Sequence, residues 1–330
     1  MKKILVILLV IIITIVSLNS PIYCWGFFAH KRINRLAVFT LPPGMIGFYK
    51  KHIEFIAEHA VDPDKRRYAI EDEAARHFID IDNYTLNNEN AFENIPKKWN
   101  DAVKKYSEDT LKNHGIVPWH IDLMVIRLTK AFKEEKTDQI LKYSAELGHY
   151  IADAHVPLHT TKNYNGQLTN QKGIHGFWES RLPELYFSNY DNFVGRATYI
   201  ENPLETAWSA VKTSFYAKDS VLEFEALLNK SFPPDKKYSI ENRGNTSVKV
   251  YSQDYSFEYD KLLNGMVERR FRDAVKTVGD LWYTSWVNAG QPDLNCLDDK
   301  KVIQEMEKIS LQEQQLWNAA KRITQKGHED

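Results

Sequence analysis

The chain has 330 residues and carries 43 lysines and arginines against 44 aspartates and glutamates, for a formal net charge of −1. This balance excludes the strongly basic surface that a duplex-DNA binder presents. With two cysteines in the whole chain, a fold stapled by several disulfides is excluded as well.

The first segment is typical of a secretory signal peptide. Two lysines precede an apolar run over residues 4–18, and a short polar stretch follows it. The run is shorter than the ~20 residues that a membrane-spanning helix needs, although an uncleaved anchor is an alternative. We expect residues 1–24 to be removed after Cys24 and the protein to be secreted or periplasmic. Cys296 would then be the remaining cysteine, and the fold would depend on its core or on bound metal.

Helical periodicity dominates the rest of the chain, because apolar residues recur at intervals of three and four positions. In chain order, helices are predicted over 44–59, 121–156, 204–216, 219–231 and 259–288, with a charged outer helix in the tail, 298–325. Asp219 or Ser220 is a candidate cap for the fourth of these. Strand signals are nearly absent, and 233–258 is predicted to be a long surface loop. We expect one all-α domain of many helices over residues 25–330.

Metal-binding residue types are densest between residues 147 and 159. His149 and Asp153 lie four apart on a predicted helix, so their side chains project from the same face. Pro157 ends that helix, and the turn there can return His159 to the same side. Nitrogen and carboxylate donors at this spacing suit zinc. We interpret the three residues as metal ligands, because a surface hydrogen-bonded pair would not need a third donor beyond a proline.

Two further pairs repeat this chemistry. His175 and Glu179 are again four apart, and Asp62 and His77 lie fifteen apart across a turn that contains proline. A pair of this kind, taken alone, is more often a hydrogen-bonded surface pair than a metal site. Their meaning therefore depends on whether the fold brings them to the first group.

The predicted mature terminus offers the last donors. After cleavage the chain would begin at Trp25, with His30 five residues later. A free α-amino group has a pKa low enough for metal coordination near neutral pH. Its nitrogen and the Trp25 carbonyl can chelate one ion, with His30 completing the set. A frayed, exposed terminus is the alternative.

Together these motifs resemble the superfamily that unites S1/P1-type nucleases with bacterial zinc-dependent phospholipases C. The Trp-Gly start and the step from Asp62 to His77 resemble the nuclease branch, whereas Glu179 stands where the nucleases have aspartate, as in the phospholipases. The resemblance implies a cluster of three zinc ions between the helices of an all-α domain. It assigns Asp62, His77, His149 and Asp153 to the first ion, His159, His175 and Glu179 to the second, and Trp25, His30 and a shared Asp153 to the third.

The resemblance also implies a phosphodiester substrate and a monomeric enzyme. Asp153 and Asp62 would be the catalytic carboxylates, Asp62 by orienting or deprotonating the attacking water. Phe78 and Asp80 occupy positions that lie beside the substrate base in the nucleases. Lys65, Arg66 and Arg67 follow Asp62 and could bind a phosphate, unless they are a solvated charged turn.

Three hypotheses for function follow. The N-terminal and Asp62-to-His77 spacings favour a nuclease acting on single-stranded nucleic acid or 3′-nucleotides. A zinc-dependent phospholipase C acting on phospholipid headgroups is the alternative. A binding protein stabilised by zinc is a third, which the carboxylate-rich donor set disfavours, because structural zinc sites mostly use cysteine and histidine.

Overall fold

The computed structural model describes residues 26–84, 91–244, 246–297, 300–319 and 328. The predicted signal peptide and Trp25 lie outside the described residues. Within them the fold is helical apart from one two-stranded hairpin, which confirms the predicted all-α class. No helix in this part of the chain is both long enough and apolar enough to cross a membrane.

The N-terminal half contains helices α1 to α9. Their bounds are α1 Gly26–Ala37, α2 Pro43–Lys51, α3 Ile53–Glu58, α4 Asp62–Arg66, α5 Ala91–Asn94, α6 Trp99–Tyr106, α7 Glu108–His114, α8 Val117–Lys133 and α9 Thr137–Ala154. The C-terminal half contains α10 Ile174–Gly176, α11 Leu182–Tyr186, α12 Pro203–Ser231, strands β1 Tyr238–Arg243 and β2 Thr246–Tyr251, α13 Gln253–Leu263, α14 Met266–Asn288 and α15 Lys300–Ala319. A π-helical turn, Phe177–Arg181, joins α10 to α11.

Helix α9 is the centre of the molecule, with α1, α3, α8, α12 and α14 packed around it. Its residues from Ser144 to Ala154 are all buried. A helix buried on every face can place polar side chains only where other elements meet them. The histidine and aspartate on this stretch are therefore held in the interior.

Helix α1 approaches α9 closely at Gly148. The Asn34 side chain of α1 donates a hydrogen bond to the Ala145 carbonyl of α9 at 3.0 Å and another to the Ile56 carbonyl at 3.2 Å. A Cβ at position 148 would lie 1.9 Å from the Asn34 Oδ1 atom. The contact requires glycine there, and it fixes α1 beside the ligand-bearing end of α9.

Several predicted element boundaries were wrong. The helix predicted over 44–59 is two helices, because His52 leaves the helical conformation at φ −109°, ψ 17°. Conversely, 204–216 and 219–231 form one helix, α12, since no proline or glycine interrupts it. Its cap is Asn202, whose side chain accepts a hydrogen bond from the Glu205 amide, rather than Asp219 or Ser220.

The predicted loop 233–258 contains the hairpin and the start of α13. Tyr238 pairs with Tyr251 and Arg243 with Thr246 in the antiparallel register. The Tyr251 ring stacks on Phe177 with ring centroids 3.8 Å apart. The hairpin therefore packs against the π-helical turn, a tertiary contact that local sequence does not reveal. The tail predicted as a helix is α15, which packs on α4 and α9.

Candidate metal centre

The centre is built on the last turn of α9. His149 and Asp153 lie one turn apart, and the His149 Nε2 atom is 3.2 Å from the Asp153 Oδ2 atom. Both side chains are buried. The spacing of four residues predicted this geometry.

Two residues from other elements complete a group of four donors. The Nδ1 atom of His77 lies 2.9 Å from Asp153 Oδ2 and 3.0 Å from His149 Nε2. On α4, Asp64 places its Oδ1 atom 3.6 Å from His77 Nδ1 and 3.5 Å from His149 Nε2. Ligands about 2.0 Å from a tetrahedral zinc are about 3.3 Å apart. We call Asp64, His77, His149 and Asp153 the four-donor group.

A second group lies after the helix-ending Pro157. Its members are His159, His175 and Glu179, all buried. The Glu179 Oε2 atom is 2.9 Å from His175 Nε2 and 3.3 Å from His159 Nε2. The fold thus brings together the two motifs that sequence spacing left separate. We call these residues the three-donor group.

Asp153 lies between the two groups. Its Oδ2 atom faces His77 and His149, while its Oδ1 atom is 3.3 Å from His30 Nε2 and 3.9 Å from His159 Nε2. His30 is also near the donor atoms of Asp64 and His149. One carboxylate can therefore serve two positions. The predicted partner of His30, Trp25, lies outside the described residues.

The second ring nitrogen of three histidines fixes which atom faces the centre. The Nδ1–H group of His149 donates to the Ala60 carbonyl at 2.8 Å, that of His159 to the His77 carbonyl at 2.7 Å, and that of His175 to the Tyr164 carbonyl at 3.1 Å. Each ring therefore turns its Nε2 atom towards the donor groups. This backing is the arrangement that orients histidine ligands of metals.

His77 is oriented the other way, with Nδ1 facing the four-donor group. Behind it, the Nε2 atom lies 3.7 Å from Glu73 Oε1, a separation beyond a direct hydrogen bond. Glu73 is itself fully buried and is held by Arg66, Arg76 and Tyr150. A charged network therefore backs His77 where backbone carbonyls back the other three rings.

Burial and charge act against each other on the pKa values of the centre. Burial disfavours a proton on His149, but the carboxylates of Asp153 and Asp64 outweigh it and raise the His149 pKa to about 9. Burial would raise the pKa of Asp153, yet His149 and His159 hold it well below its usual range. The Glu179 pKa is lowered in the same way by His175 and His159. The centre is thus a site of negative potential that favours a cation.

The donor chemistry fits bound zinc. Within the four-donor group, the two ring nitrogens 3.0 Å apart and the two carboxylate oxygens near them all offer lone pairs. Such atoms repel one another unless a proton or a metal ion lies between them. Imidazole nitrogen and carboxylate oxygen are ligands that zinc accepts.

Asp62 was predicted to be a metal ligand and a catalytic carboxylate, and the structure places it outside the centre. Its Oδ2 atom is 2.5 Å from His59 Nδ1, and its Oδ1 atom accepts from Lys65 Nζ at 2.9 Å. Residues two apart on a helix point about 200° from each other, so Asp64 faces His77 while Asp62 faces away. Of the two carboxylates on this short helix, Asp64 rather than the predicted Asp62 lies near His77.

Lys65 and Arg66 were predicted to bind a substrate phosphate, and in the structure both have carboxylate partners. Lys65 is paired with Asp62. Arg66 is buried and paired with Glu146 at 2.5 Å and with Glu73 at 2.9 Å. Arg66 is thus paired in the interior, and Lys65 at the partly exposed end of α4.

Phe78 and Asp80, the predicted substrate-binding residues, line a slot beside the three-donor group. The slot's other wall is the Tyr164 ring, and the imidazole of His328 lies between the walls. Burial raises the pKa of Asp80 to about 7. Sequence reasoning missed Tyr164 and His328, since neither lies at a ligand spacing from another donor.

The comparison with protein families agrees with this geometry. The model of the zinc-dependent phospholipase C family matches residues 29–239, a segment that contains every member of the two donor groups. No curated protein sequence matches the chain significantly. The match covers well over half of the chain and confirms the predicted superfamily. The chain therefore belongs to the zinc-dependent phospholipase C family.

Proposed function

We propose that this protein is a zinc-dependent hydrolase that cleaves the headgroup phosphodiester of phospholipids. The observation that carries the proposal is the pair of buried donor groups joined by Asp153. The family match favours phospholipid over the nucleic-acid substrate that the sequence spacings suggested.

We assign three zinc ions to the donors. The four-donor group would hold one ion, and the three-donor group a second. His30 and the Oδ1 atom of Asp153 would hold a third, together with the amine and carbonyl of Trp25 after signal-peptide cleavage. This assignment requires export of the protein, in keeping with a secreted or periplasmic location.

Bound zinc supplies a Lewis acid that neutralises charge on the phosphoryl oxygens and lowers the pKa of water. The protein positions these effects. Asp153 fixes the distance between the two donor groups through its two oxygens. Asp64 is more open to solvent than Asp153, with 14% of its side chain exposed against 3%. A carboxylate at that opening can orient the attacking water and accept its proton.

The three-donor group can serve the leaving side of the reaction. Structural zinc sites fill four protein positions, whereas catalytic sites keep one position open. His159, His175 and Glu179 leave such a position. A phosphodiester oxygen that takes it would have its developing negative charge neutralised there.

A nuclease or nucleotidase is the second candidate. The specific observation in its favour is the slot between Phe78 and Tyr164, which holds a planar ring, as a base-binding platform would. The carboxylate of Asp80 at the slot could accept a hydrogen bond from such a ring.

The test is hydrolysis by purified protein that begins at Trp25. Phosphatidylcholine vesicles, single-stranded DNA and a 3′-nucleotide would be compared, each before and after removal of zinc by a chelator. We expect zinc-dependent release of phosphocholine from the vesicles. Cleavage of DNA or of the nucleotide alone would replace the phospholipase proposal with the second candidate, and zinc binding without hydrolysis of any substrate would overturn both. A control protein with one extra residue before Trp25 should keep two zinc ions and lose the third.

A further inference from the structure

The slot beside the metal centre is filled by the chain itself. The imidazole of His328 stacks on Phe78 with ring centroids 3.9 Å apart and an interplanar angle of 17°, and on Tyr164 at 4.1 Å and 12°. The ring is thus sandwiched, and 3% of the residue is exposed. Two parallel stacks on one ring fit a planar group closely.

Polar contacts hold the same residue at its edge and at its backbone. The Nε2–H group of His328 donates to Asp80 Oδ1 at 2.6 Å, and the guanidinium of Arg67 donates to the His328 carbonyl. The faces of the His328 ring, the edge of the ring and the backbone carbonyl of His328 therefore each contact another residue. These contacts are those of a bound ligand rather than of a surface side chain.

The slot is continuous with the donors of the centre. Phe78 follows His77 in the chain, and the carbonyl of Tyr164 accepts the hydrogen bond that orients His175. The His328 ring lies 6.2 Å from that of His159, centroid to centroid. A substrate group bound next to a phosphate at the three-donor group would have to enter the same space.

We propose that His328 is an intramolecular ligand of the protein's own substrate site, which competes with the substrate for the slot formed by Phe78, Tyr164, Asp80 and Arg67. A ligand tethered to its site acts at an effective concentration in the millimolar range. Even a modest intrinsic affinity of His328 for the slot then keeps the slot filled. The apparent affinity for an outside ligand equals its intrinsic affinity multiplied by the fraction of molecules in which the slot is open. Removal of this end of the chain activates the protein towards its substrate.

The inference rests on the proposed function for the meaning of the slot, but its test can be made by binding alone. Zinc-loaded protein would be titrated calorimetrically with two probes, phosphocholine and adenosine 5′-monophosphate. The variants are His328→Ala and a deletion of residues 326–330. We expect at least one probe to bind about tenfold more tightly to both variants than to the full chain, since the ring no longer has to be displaced.

Two comparisons make the result decisive. The matched control, Asp330→Asn, keeps His328 and should bind both probes as the full chain does. A peptide of residues 320–330 added to the deletion variant should weaken probe binding again. Equal affinities in the full chain and both variants, with folding verified by circular dichroism, would overturn the proposal.

Activity separates this inference from the proposed function. If the phosphodiesterase proposal holds, both variants should lower KM and leave kcat within about twofold, because a competing ligand affects binding of free substrate. If no substrate is hydrolysed but probe affinity rises, the proposed function fails while the slot competition stands.

Discussion

The two donor groups of the centre are built differently. The four-donor group joins α4, α9 and the turn before His77, and Asp64 lies 3.5 to 3.6 Å from its two histidines. The three-donor group lies on the short turns that follow Pro157 and leaves a position open. Under the proposed function, this difference assigns metal anchoring in the core to the first group and contact with the substrate to the second.

The groups that contact the far side of the histidine rings differ between the two donor groups as well. Glu73 lies behind His77 of the four-donor group, whereas a backbone carbonyl holds His149 of the same group and each histidine of the three-donor group. The hairpin and the stacked rings of Phe177 and Tyr251 support the turn that carries Glu179. We therefore expect changes in the first group to affect both stability and activity, and changes in the second to affect mainly activity.

The largest effect on activity and zinc content is expected from Asp153→Asn, because Asp153 contacts both donor groups. The change removes the charge that the two oxygens share among His77, His149, His30 and His159. We expect kcat/KM to fall about a thousandfold or more, equivalent to about 4 kcal/mol, with loss of more than one zinc ion. Zinc content by atomic emission and steady-state kinetics measure these effects, and full activity with three ions bound would contradict the shared role.

Asp64→Asn and Asp62→Asn form a matched pair on one helix. Asp64→Asn should release the ion of the four-donor group and lower kcat/KM by about a hundredfold. Asp62→Asn should retain zinc and activity within about threefold, and should cost about 1 kcal/mol of stability through its contacts with His59 and Lys65. The opposite result would return Asp62 to the centre and remove Asp64 from it.

Glu179→Gln tests the open group. An amide oxygen is a weaker zinc ligand than a carboxylate, so the variant should bind about one zinc ion fewer and lose activity by about a hundredfold. Its melting temperature should change less than that of Asp64→Asn, since the four-donor group remains. A larger loss of stability than in Asp64→Asn would reverse the proposed division of labour.

The smallest expected effect is on the pH dependence of stability, through His120 near the four-donor group. His120 lies edge-on to Tyr150 with ring centroids 4.4 Å apart, and burial and the charge of Arg76 hold the His120 pKa well below its usual range. Below about pH 6.5 the His120 imidazole is therefore protonated in the unfolded chain but stays neutral in the folded chain. The contribution of His120 to the free energy of unfolding is present above pH 6.5 and is lost as the pH falls.

His120→Gln should accordingly show a smaller acid sensitivity than the parent protein. Between pH 7.5 and 5.5 we expect the free energy of unfolding to fall by about 1 kcal/mol less in the variant, given about 1.4 kcal/mol per pH unit for one proton. Urea denaturation at the two pH values measures the difference. Parallel losses in both proteins would mean that His120 does not carry the effect.

Parts of the centre could be predicted because helix periodicity alone determines them. His149 and Asp153 share a face of α9 at a spacing of four, and Pro157 must end that helix. His175 and Glu179 repeat the spacing. The resemblance then indicated that these local pairs belong together. In the structure the donors lie 3.2 Å apart in the first pair and 2.9 Å apart in the second, and Asp153 Oδ1 lies 3.9 Å from His159 Nε2 between them.

Other parts of the centre could not be predicted from the sequence, because they depend on which side of a short helix or strand faces the interior. Asp62 and Asp64 are both plausible from sequence, and only the packing of α4 against α9 turns Asp64 towards His77. The hairpin over 238–251 was missed because its strands are short and polar, and they gain their order by packing on Phe177 and Arg181.

By itself, the sequence determined the helical class and the ligand spacing on α9 and on the segment from α10 into the π-helical turn, since both follow from spacings of three and four residues along continuous helical backbone. The tertiary structure decided the rest. It selected Asp64, buried Arg66 among carboxylates, and placed His328 between Phe78 and Tyr164 at a separation of about 250 residues from Phe78. Contacts at such separations depend on the packing of distant elements, because no local periodicity links the residues that meet.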